Sequence, residues 1–195
     1  MNNSGVSRYF FKMLMLVAKR VRTLWQRRGR CSTVWGAVIL LASLTGGAAH
    51  ADPGDVVTAK RLGMPLAAKI AEKAVEVCQG RGYNVSAVVV DRAGDPQVVM
   101  RGTQANRFTI QIATDKARSV ILSGVDSSVF RRNREDIRLE MDHVDGILVL
   151  DGGVRIDSAG TLIGALGVSG APGGDKDEAC ARAAVEAYVG RLDLP

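Results

Sequence analysis

The sequence predicts an α+β domain in which helices flank a single antiparallel, five-stranded sheet. Apolar runs of strand length follow one another across linkers of only a few residues, which are too short for the crossovers that parallel strands need. Amphipathic helical stretches precede, separate and follow these runs. The 144 residues after position 51 are enough for one hydrophobic core.

The first 51 residues are predicted to be an export signal. They hold eight basic residues and no acidic one, and the apolar run at 34–44 has the length of a signal-peptide h-region. Cleavage is expected after Ala51, because Ala49-His50-Ala51 fits the A-x-A pattern. An uncleaved anchor is the alternative, since the uncharged stretch extends over 31–51.

Export places the protein in the periplasm or outside the cell, with no membrane contact once the signal is removed. The mature chain then has a flexible N-terminus at 52–62 and a folded domain at 63–191. The formal net charge of +6 belongs to the leader, because the rest of the chain has 18 basic and 20 acidic residues. The chain after the leader therefore has a net charge near −2, which removes the main reason to expect a nucleic-acid partner.

The first half of the domain is predicted to contain a helix and a hairpin. Pro65 suits a first helical turn, and an apolar stripe then runs through Leu66 to Gln79. Val85 to Val90 and Gln97 to Arg101 have strand composition and are joined by one short turn, so they form an antiparallel pair.

The second half is predicted to add three strands between helices. Short linkers again require antiparallel neighbours, and acidic residues open the last helix, as the helix dipole favours. These elements are a helix at 108–122, a solvated loop with a short helix at 123–143, strands at 147–150, 154–156 and 162–169, and a final helix at 175–191.

Two cysteines follow the leader, and both lie on the apolar stripe of a predicted helix. Cys78 continues the stripe of the first helix, and Cys180 begins that of the last. If these helices are neighbours, the thiols can pair in a compartment that permits disulfides. Two buried free thiols are the alternative.

The sequence offers little for conventional catalysis. His143 is the one histidine after the leader, which excludes a His-rich metal site, and no nucleophile elbow, H-E-x-x-H or C-x-x-C motif is present. His143 lies close to Met141, and imidazole and thioether both ligate haem iron in other proteins. These two residues are the candidate metal ligands, with an exposed loop histidine as the alternative.

A glycine-rich segment at 164–174 follows a strand and opens a helix. Backbone N–H groups in such a position can surround an anion. The segment lacks the Lys-Ser/Thr end of a P-loop, and Asp175, Asp177 and Glu178 would repel a phosphate. A tight turn that lets the backbone pass close to another element is therefore favoured.

Several short blocks follow in a fixed order over residues 63–191. They are Gly82-Tyr83-Asn84-Val85-Ser86, Val88-Val89-Val90-Asp91-Arg92-Ala93-Gly94, Met100-Arg101, Asp115-Lys116-Ala117, Gly152-Gly153, the glycine-rich 164–174, and Asp177-Glu178-Ala179-Cys180-Ala181. Their order resembles the GlcG/HbpS family of haem-binding proteins, in its exported form with a signal peptide.

The resemblance implies a domain layered like profilin and PAS domains that assembles into homo-oligomers. It implies haem as a cofactor outside the cytoplasm and, in one branch, a sensor kinase as partner. Cations suited to haem propionates are Arg101, Arg107 and Lys116, and Phe108 is placed to pack on a porphyrin face. The remaining ligand-site positions implied by the family are Gly152, Gly153, Gly170, Pro172 and Gly173.

The chain departs from the family pattern at two positions. Members often have a His-Thr pair where this chain has Phe108-Thr109, so one candidate iron ligand is gone. Asp151 replaces the usual proline before the paired glycines.

Three functions remain open from the sequence. The first is an exported protein that binds haem or another tetrapyrrole, as scavenger, carrier or accessory sensor. The second is a small-molecule or haem-degrading enzyme whose anion-holding pocket combines Lys116, Arg101 and the glycine-rich turn. The third is an oligomeric interaction module without a ligand.

Overall fold

The computed structural model describes residues 54 and 57–193. The predicted leader at 1–51, with its h-region at 34–44, lies outside the described residues. Among the residues that are described, no helix is both long enough and apolar enough to span a bilayer.

Helices and strands follow one another in the predicted order with two differences: the strand predicted at 147–150 is not formed, and the final helix predicted at 175–191 is divided in two. The helices are α1 (Met64–Gly80), α2 (Thr109–Ser123), α3 (Ser127–Asn133), α4 (Arg138–Met141), α5 (Gly174–Glu186) and α6 (Val189–Leu192), with a 3₁₀ turn at Glu135–Ile137 between α3 and α4. The strands are β1 (Ser86–Asp91), β2 (Pro96–Arg101), β3 (Gly153–Ser158) and β4 (Thr161–Ser169).

The sheet is antiparallel throughout, with the strand order β2-β1-β4-β3. Two hairpins, β1–β2 and β3–β4, meet at the central β1–β4 pair. This arrangement confirms the predicted α+β class and the hairpin predicted at 85–101.

Helices cover both faces of the sheet, and the alternation of side chains along β1 shows how. Val88 and Val90 pack against α2, together with Ala165 of β4. Ala87 and Val89 point the other way, into the larger core beneath α1 and α5. The sheet is therefore the middle layer of three.

A fifth strand, predicted at 147–150, is not formed within residues 57–193, and the sheet there has four strands. Side chains bind the backbone of this segment instead. The Leu148 N–H donates to Ser119 Oγ at 3.0 Å, and the Val149 N–H donates to Asp142 Oδ1 at 3.0 Å. With these groups satisfied, the segment runs as irregular chain below α2.

Candidate functional site

A buried ion pair joins α2 to α5. Lys116 Nζ lies 2.7 Å from Asp177 Oδ2 and donates to the Val168 carbonyl at 3.1 Å, and the two side chains are 1% and 4% exposed. The other oxygen of Asp177 accepts the Ala171 N–H at 2.9 Å. Burial raises the pKa of the Asp177 carboxyl above its usual value, and the Lys116 ammonium opposes that rise.

Lys116 therefore has its charge compensated inside the domain. The expectation that it holds a ligand carboxylate does not agree with this placement, because a propionate would have to displace Asp177 from a closed core.

The paired glycines, Gly152 and Gly153, make room for this lysine. A Cβ atom at Gly152 would lie 2.8 Å from Lys116 Nζ and 2.7 Å from the Val168 carbonyl oxygen. A Cβ atom at Gly153 would lie 2.6 Å from the Lys116 carbonyl oxygen. The structure thus places both glycines in close packing against α2 and β4.

The turn between β4 and α5 is filled by the protein itself. A Cβ atom at Gly170 would lie 2.5 Å from the Asn84 carbonyl oxygen, so the turn passes directly over another part of the backbone. The Ala171 N–H is taken by Asp177, and Lys176 Nζ donates to the Pro172 carbonyl at 3.2 Å. Gly173, with a φ of 133°, leads into α5. The carboxylate of Asp177 thus takes the Ala171 N–H, one of the backbone groups that could otherwise bind an external anion.

A second buried carboxylate, that of Glu178, lies beside this turn, and from the sequence it is expected only to repel a phosphate. Glu178 accepts hydrogen bonds from the Ser128 hydroxyl at 2.6 Å and from Arg182 at 2.9 Å. Arg182 also pairs with Asp126 at 2.8 Å. Burial works to lower the pKa of Arg182, but its bonds to Asp126 and Glu178 outweigh that effect and raise it. These residues connect α3 to α5.

The candidate residues around the start of α2 form a separate, exposed patch. Phe108 is 63% exposed, and the Arg107 guanidinium lies 5.0 Å from the centre of its ring. Arg101 is exposed on β2, and its Nη1 donates to the Ala105 carbonyl at 2.8 Å. Because Arg101 lies at the surface and Lys116 is enclosed, the two do not form a common anion-holding pocket.

An apolar groove of about 470 Å³ lies between the end of α2 and the short helices that follow. Arg134 lies in its wall and pairs with Asp136 at 3.1 Å, a contact that holds the pKa of the Asp136 carboxyl below its usual range. Met141 contributes its thioether to the lining. The residues that line the groove are Leu122, Ser123, Val125, Phe130, Asn133, Arg134, Ile137 and Met141.

The segment 123–143 was predicted to be a solvated loop with a short helix, and the groove was not foreseen. The available signal was the recurrence of large apolar residues, Val125, Phe130, Ile137 and Met141, among the arginines.

The structure separates the two candidate metal ligands. Met141 lines the groove, whereas His143 is exposed, with its backbone N–H bound to the Glu140 carbonyl at 3.1 Å. In the part of the chain that the structure describes, no group of three His, Cys, Asp or Glu side chains is arranged to hold a metal ion.

Cys78 and Cys180 are joined in a disulfide between α1 and α5, with their Cα atoms 5.5 Å apart. Both residues are fully buried. Arg81 Nη1 lies 4.0 Å from Cys180 Sγ. The bridge is therefore part of the core beneath the sheet.

A family model described as haem degrading protein HbpS-like matches residues 62–186. The chain belongs to the HbpS-like family. No curated protein matches it.

Solved structures share this HbpS-like fold. HbpS is 32% identical, with a TM-score of 0.66, and the match covers 71% of this chain and 97% of that one. A double mutant of HbpS from Streptomyces reticuli is 31% identical, with a TM-score of 0.66, over 71% of this chain and 94% of that one. The PduOC:heme complex is similar in fold, at 23% identity and a TM-score of 0.58, over 66% and 95% of the two chains.

Four of the blocks that carry the HbpS-like resemblance meet at one place in the structure. The block around Lys116, the paired glycines and the segment from 164 to Cys180 together build the ion pair and its surroundings. These blocks hold the three layers together, and the groove lies outside them.

Proposed function

We propose that this HbpS-like protein is exported and binds haem or a related tetrapyrrole, as a scavenger, carrier or accessory sensor. The family description and the haem complex formed by PduOC support haem as the ligand. The observation that carries the proposal for this chain is the apolar groove that contains Met141.

The groove suits a tetrapyrrole in three respects. Its walls are mainly aliphatic and aromatic, and apolar walls favour burial of a porphyrin face. Arg134 supplies a guanidinium, the group that pairs best with a carboxylate such as a propionate. Met141 supplies a thioether, which is an axial ligand of haem iron in other proteins. If haem binds here, Met141 is the groove residue that would hold its iron, and the iron would supply redox chemistry.

The test is a titration of the purified protein with haemin, followed by the Soret band. Met141→Leu keeps the size of the side chain and removes the sulfur, so the Soret position should change. Leu122→Glu introduces a charge into the wall, so affinity should fall at least about tenfold. Met64→Leu is the matched control, because Met64 is exposed on α1 and lies outside the groove.

The outcomes distinguish whether the protein binds haem from where on the protein haem binds. No Soret shift at micromolar protein contradicts haem binding altogether. Loss of binding in Arg107→Gln and Phe108→Ala, with Leu122→Glu unaffected, would place the tetrapyrrole on the exposed patch at the start of α2. His143→Ala should leave the spectrum unchanged, since that imidazole lies outside the groove.

Export is the second part of the proposal. The basic leader with its apolar run supports it, and so does the Cys78–Cys180 disulfide, because such bonds persist in oxidising compartments. N-terminal sequencing of protein recovered from the periplasm or medium should begin at Asp52. Recovery of the chain only from the cytoplasm, with the leader still attached, would overturn this part.

A further inference from the structure

One wall of the apolar groove is formed by α3, a helix of only seven residues. Phe130 and Asn133 of this helix line the groove, and Arg134 follows them directly. A helix this short is not stable by itself, so contacts with the rest of the domain have to set its position. Phe130 is the one large side chain of α3 that is buried, and apolar packing therefore supplies only part of these contacts.

The other contacts of α3 are polar and lie in its first turn, at residues that do not line the groove. Ser127 Oγ accepts the Gly153 N–H at 2.8 Å, which attaches the helix to the edge of β3. Ser128 donates its backbone N–H at 3.2 Å and its hydroxyl at 2.6 Å to the carboxylate of Glu178. The first turn of α3 is thus bound to β3 on one side and to α5 on the other.

The carboxylate of Glu178 is the centre of this attachment. Its side chain is only 10% exposed, and it also accepts from Arg182 at 2.9 Å and from the Gly152 N–H at 3.4 Å. Arg182 in turn pairs at 2.8 Å with Asp126, the residue before α3. Hydrogen bonds to an ionised carboxylate are stronger than those between neutral groups. Glu178 therefore binds α3 more firmly than the hydroxyl of Ser127 does.

We propose that Glu178 is a positioning residue for the groove: it holds α3 in place and thereby sets the width of the groove without touching the ligand. Glu178 lies outside the lining of the groove. Phe130 follows Ser128 by two residues in the same helix, so a displaced first turn also displaces the groove wall. This inference rests on the function proposed above, because it concerns the same groove.

Glu178→Gln tests the role of the carboxylate, because an amide has only one acceptor oxygen. When that oxygen faces the Ser128 hydroxyl, the NH₂ group faces the N–H groups of Ser128 and Gly152, so donors oppose donors. In a Soret titration, the affinity for haemin should fall about three- to thirtyfold. Glu186→Gln is the matched control and should bind like the wild type, since it makes the same change of charge at an exposed position of α5 outside the groove.

Two further measurements separate a displaced groove wall from a general loss of stability. The double variant Cys78→Ala, Cys180→Ala loses stability but keeps Glu178 and Ser128, so it should retain the wild-type affinity for haemin while it is folded. In Glu178→Gln, the amides of Ser128 and Gly152 should exchange faster with deuterium, whereas the amides of β1 should exchange at the wild-type rate.

The same variants are compared with anilinonaphthalene sulfonate, a dye that fluoresces in apolar clefts, so that the test does not depend on haem. Leu122→Glu should weaken binding of the dye, which places the dye in the groove. If the wild type binds the dye but not haemin, and Glu178→Gln weakens dye binding, the proposed function fails and the positioning role is supported.

Three outcomes overturn the positioning role. In the first, Glu178→Gln binds both probes as tightly as the wild type does, which leaves haem binding itself intact. In the second, the variant without the disulfide loses as much affinity as Glu178→Gln, so that lower stability explains both losses. In the third, the wild type binds neither haemin nor the dye, and the proposed function fails with it.

Discussion

At the scale of single residues, the most demanding feature is the enclosed charge of Lys116. Removal of a lysine and a carboxylate from water costs several kcal/mol for each ion, and the geometry of the pair has to offset that cost. Asp177 meets this demand with one oxygen on the ammonium at 2.7 Å and the other on the Ala171 N–H at 2.9 Å. The pair thus fixes α2, the end of β4 and α5 relative to one another.

We expect Lys116→Met to lower the free energy of unfolding by about 3–5 kcal/mol, because the Asp177 carboxylate is then buried without a cation. The double variant Lys116→Met, Asp177→Leu should recover most of the loss, since two apolar side chains of similar size replace the pair. Urea unfolding followed by circular dichroism measures both. If the Lys116→Met variant were as stable as the wild type, the structural role of the Lys116–Asp177 ion pair would be contradicted.

The same variant has a defined pH dependence. The pKa of Asp177 is already raised in the folded state by burial, and removal of Lys116 raises it further. A carboxyl whose folded pKa lies above its unfolded value, about 3.9, stabilises the fold fully below that value and loses this contribution as the pH rises. The deficit of Lys116→Met against the wild type should therefore be smallest near pH 4 and larger at pH 7.

At the scale of elements, α2 packs closely on β4. Gly167 lies directly below the Ala113 carbonyl, and a Cβ atom there would overlap that oxygen and lie 3.1 Å from the Ala117 Cβ. The helix reaches the sheet at this distance because its inner face carries alanines, and because β4 has a glycine where the helix crosses it.

We expect Gly167→Ala to destabilise the domain by about 1–3 kcal/mol or more, since α2 has to move away from the sheet. Gly190→Ala is the control, because a Cβ atom at Gly190 in α6 has no neighbour within 4 Å. Thermal unfolding should show a lower midpoint for the first variant and an unchanged or slightly higher one for the second. Equal unfolding midpoints for the Gly167→Ala and Gly190→Ala variants would mean that α2 does not pack this closely on β4.

Periodicity was enough to predict α1, α2 and the β1–β2 hairpin, because each is decided by its own residues. It was not enough at 147–150, an apolar run whose backbone partners, Ser119 and Asp142, lie outside it. The groove was missed for a related reason, since its walls come from α2 and three short segments whose arrangement no local pattern records.

At the scale of the whole molecule, the disulfide between Cys78 and Cys180 joins α1 to α5, and the two cysteines lie 102 residues apart in the sequence. We expect the double variant Cys78→Ala, Cys180→Ala to lose about 2–5 kcal/mol of stability, because the bridge closes a long loop in the unfolded chain. Dithiothreitol should lower the unfolding midpoint of the wild type and leave the double variant unchanged. A reductant effect of equal size in both would show that the bridge does not support the fold.

The sequence predicted the class of the molecule and its family better than its site. The sequence predicts Lys116 as a ligand residue, because its sequence neighbours do not show that Asp177, 61 residues later, encloses it. The patch at Arg107 and Phe108 was selected by family position, and the structure leaves it at the surface, away from the buried pair. The tertiary structure decides which charged side chains meet across elements. For that reason the sequence alone does not predict the roles of these residues.

The glycines along β4 and the following turn have a consequence for how relatives of this chain are recognised. Gly164, Gly167, Gly170 and Gly174 each face a backbone carbonyl that leaves no space for a side chain. A homology search guided by this glycine-rich block therefore retrieves proteins whose helices pack closely on the sheet. Two proteins retrieved by it can therefore share this packing and still differ at the groove, whose lining residues all lie outside the block.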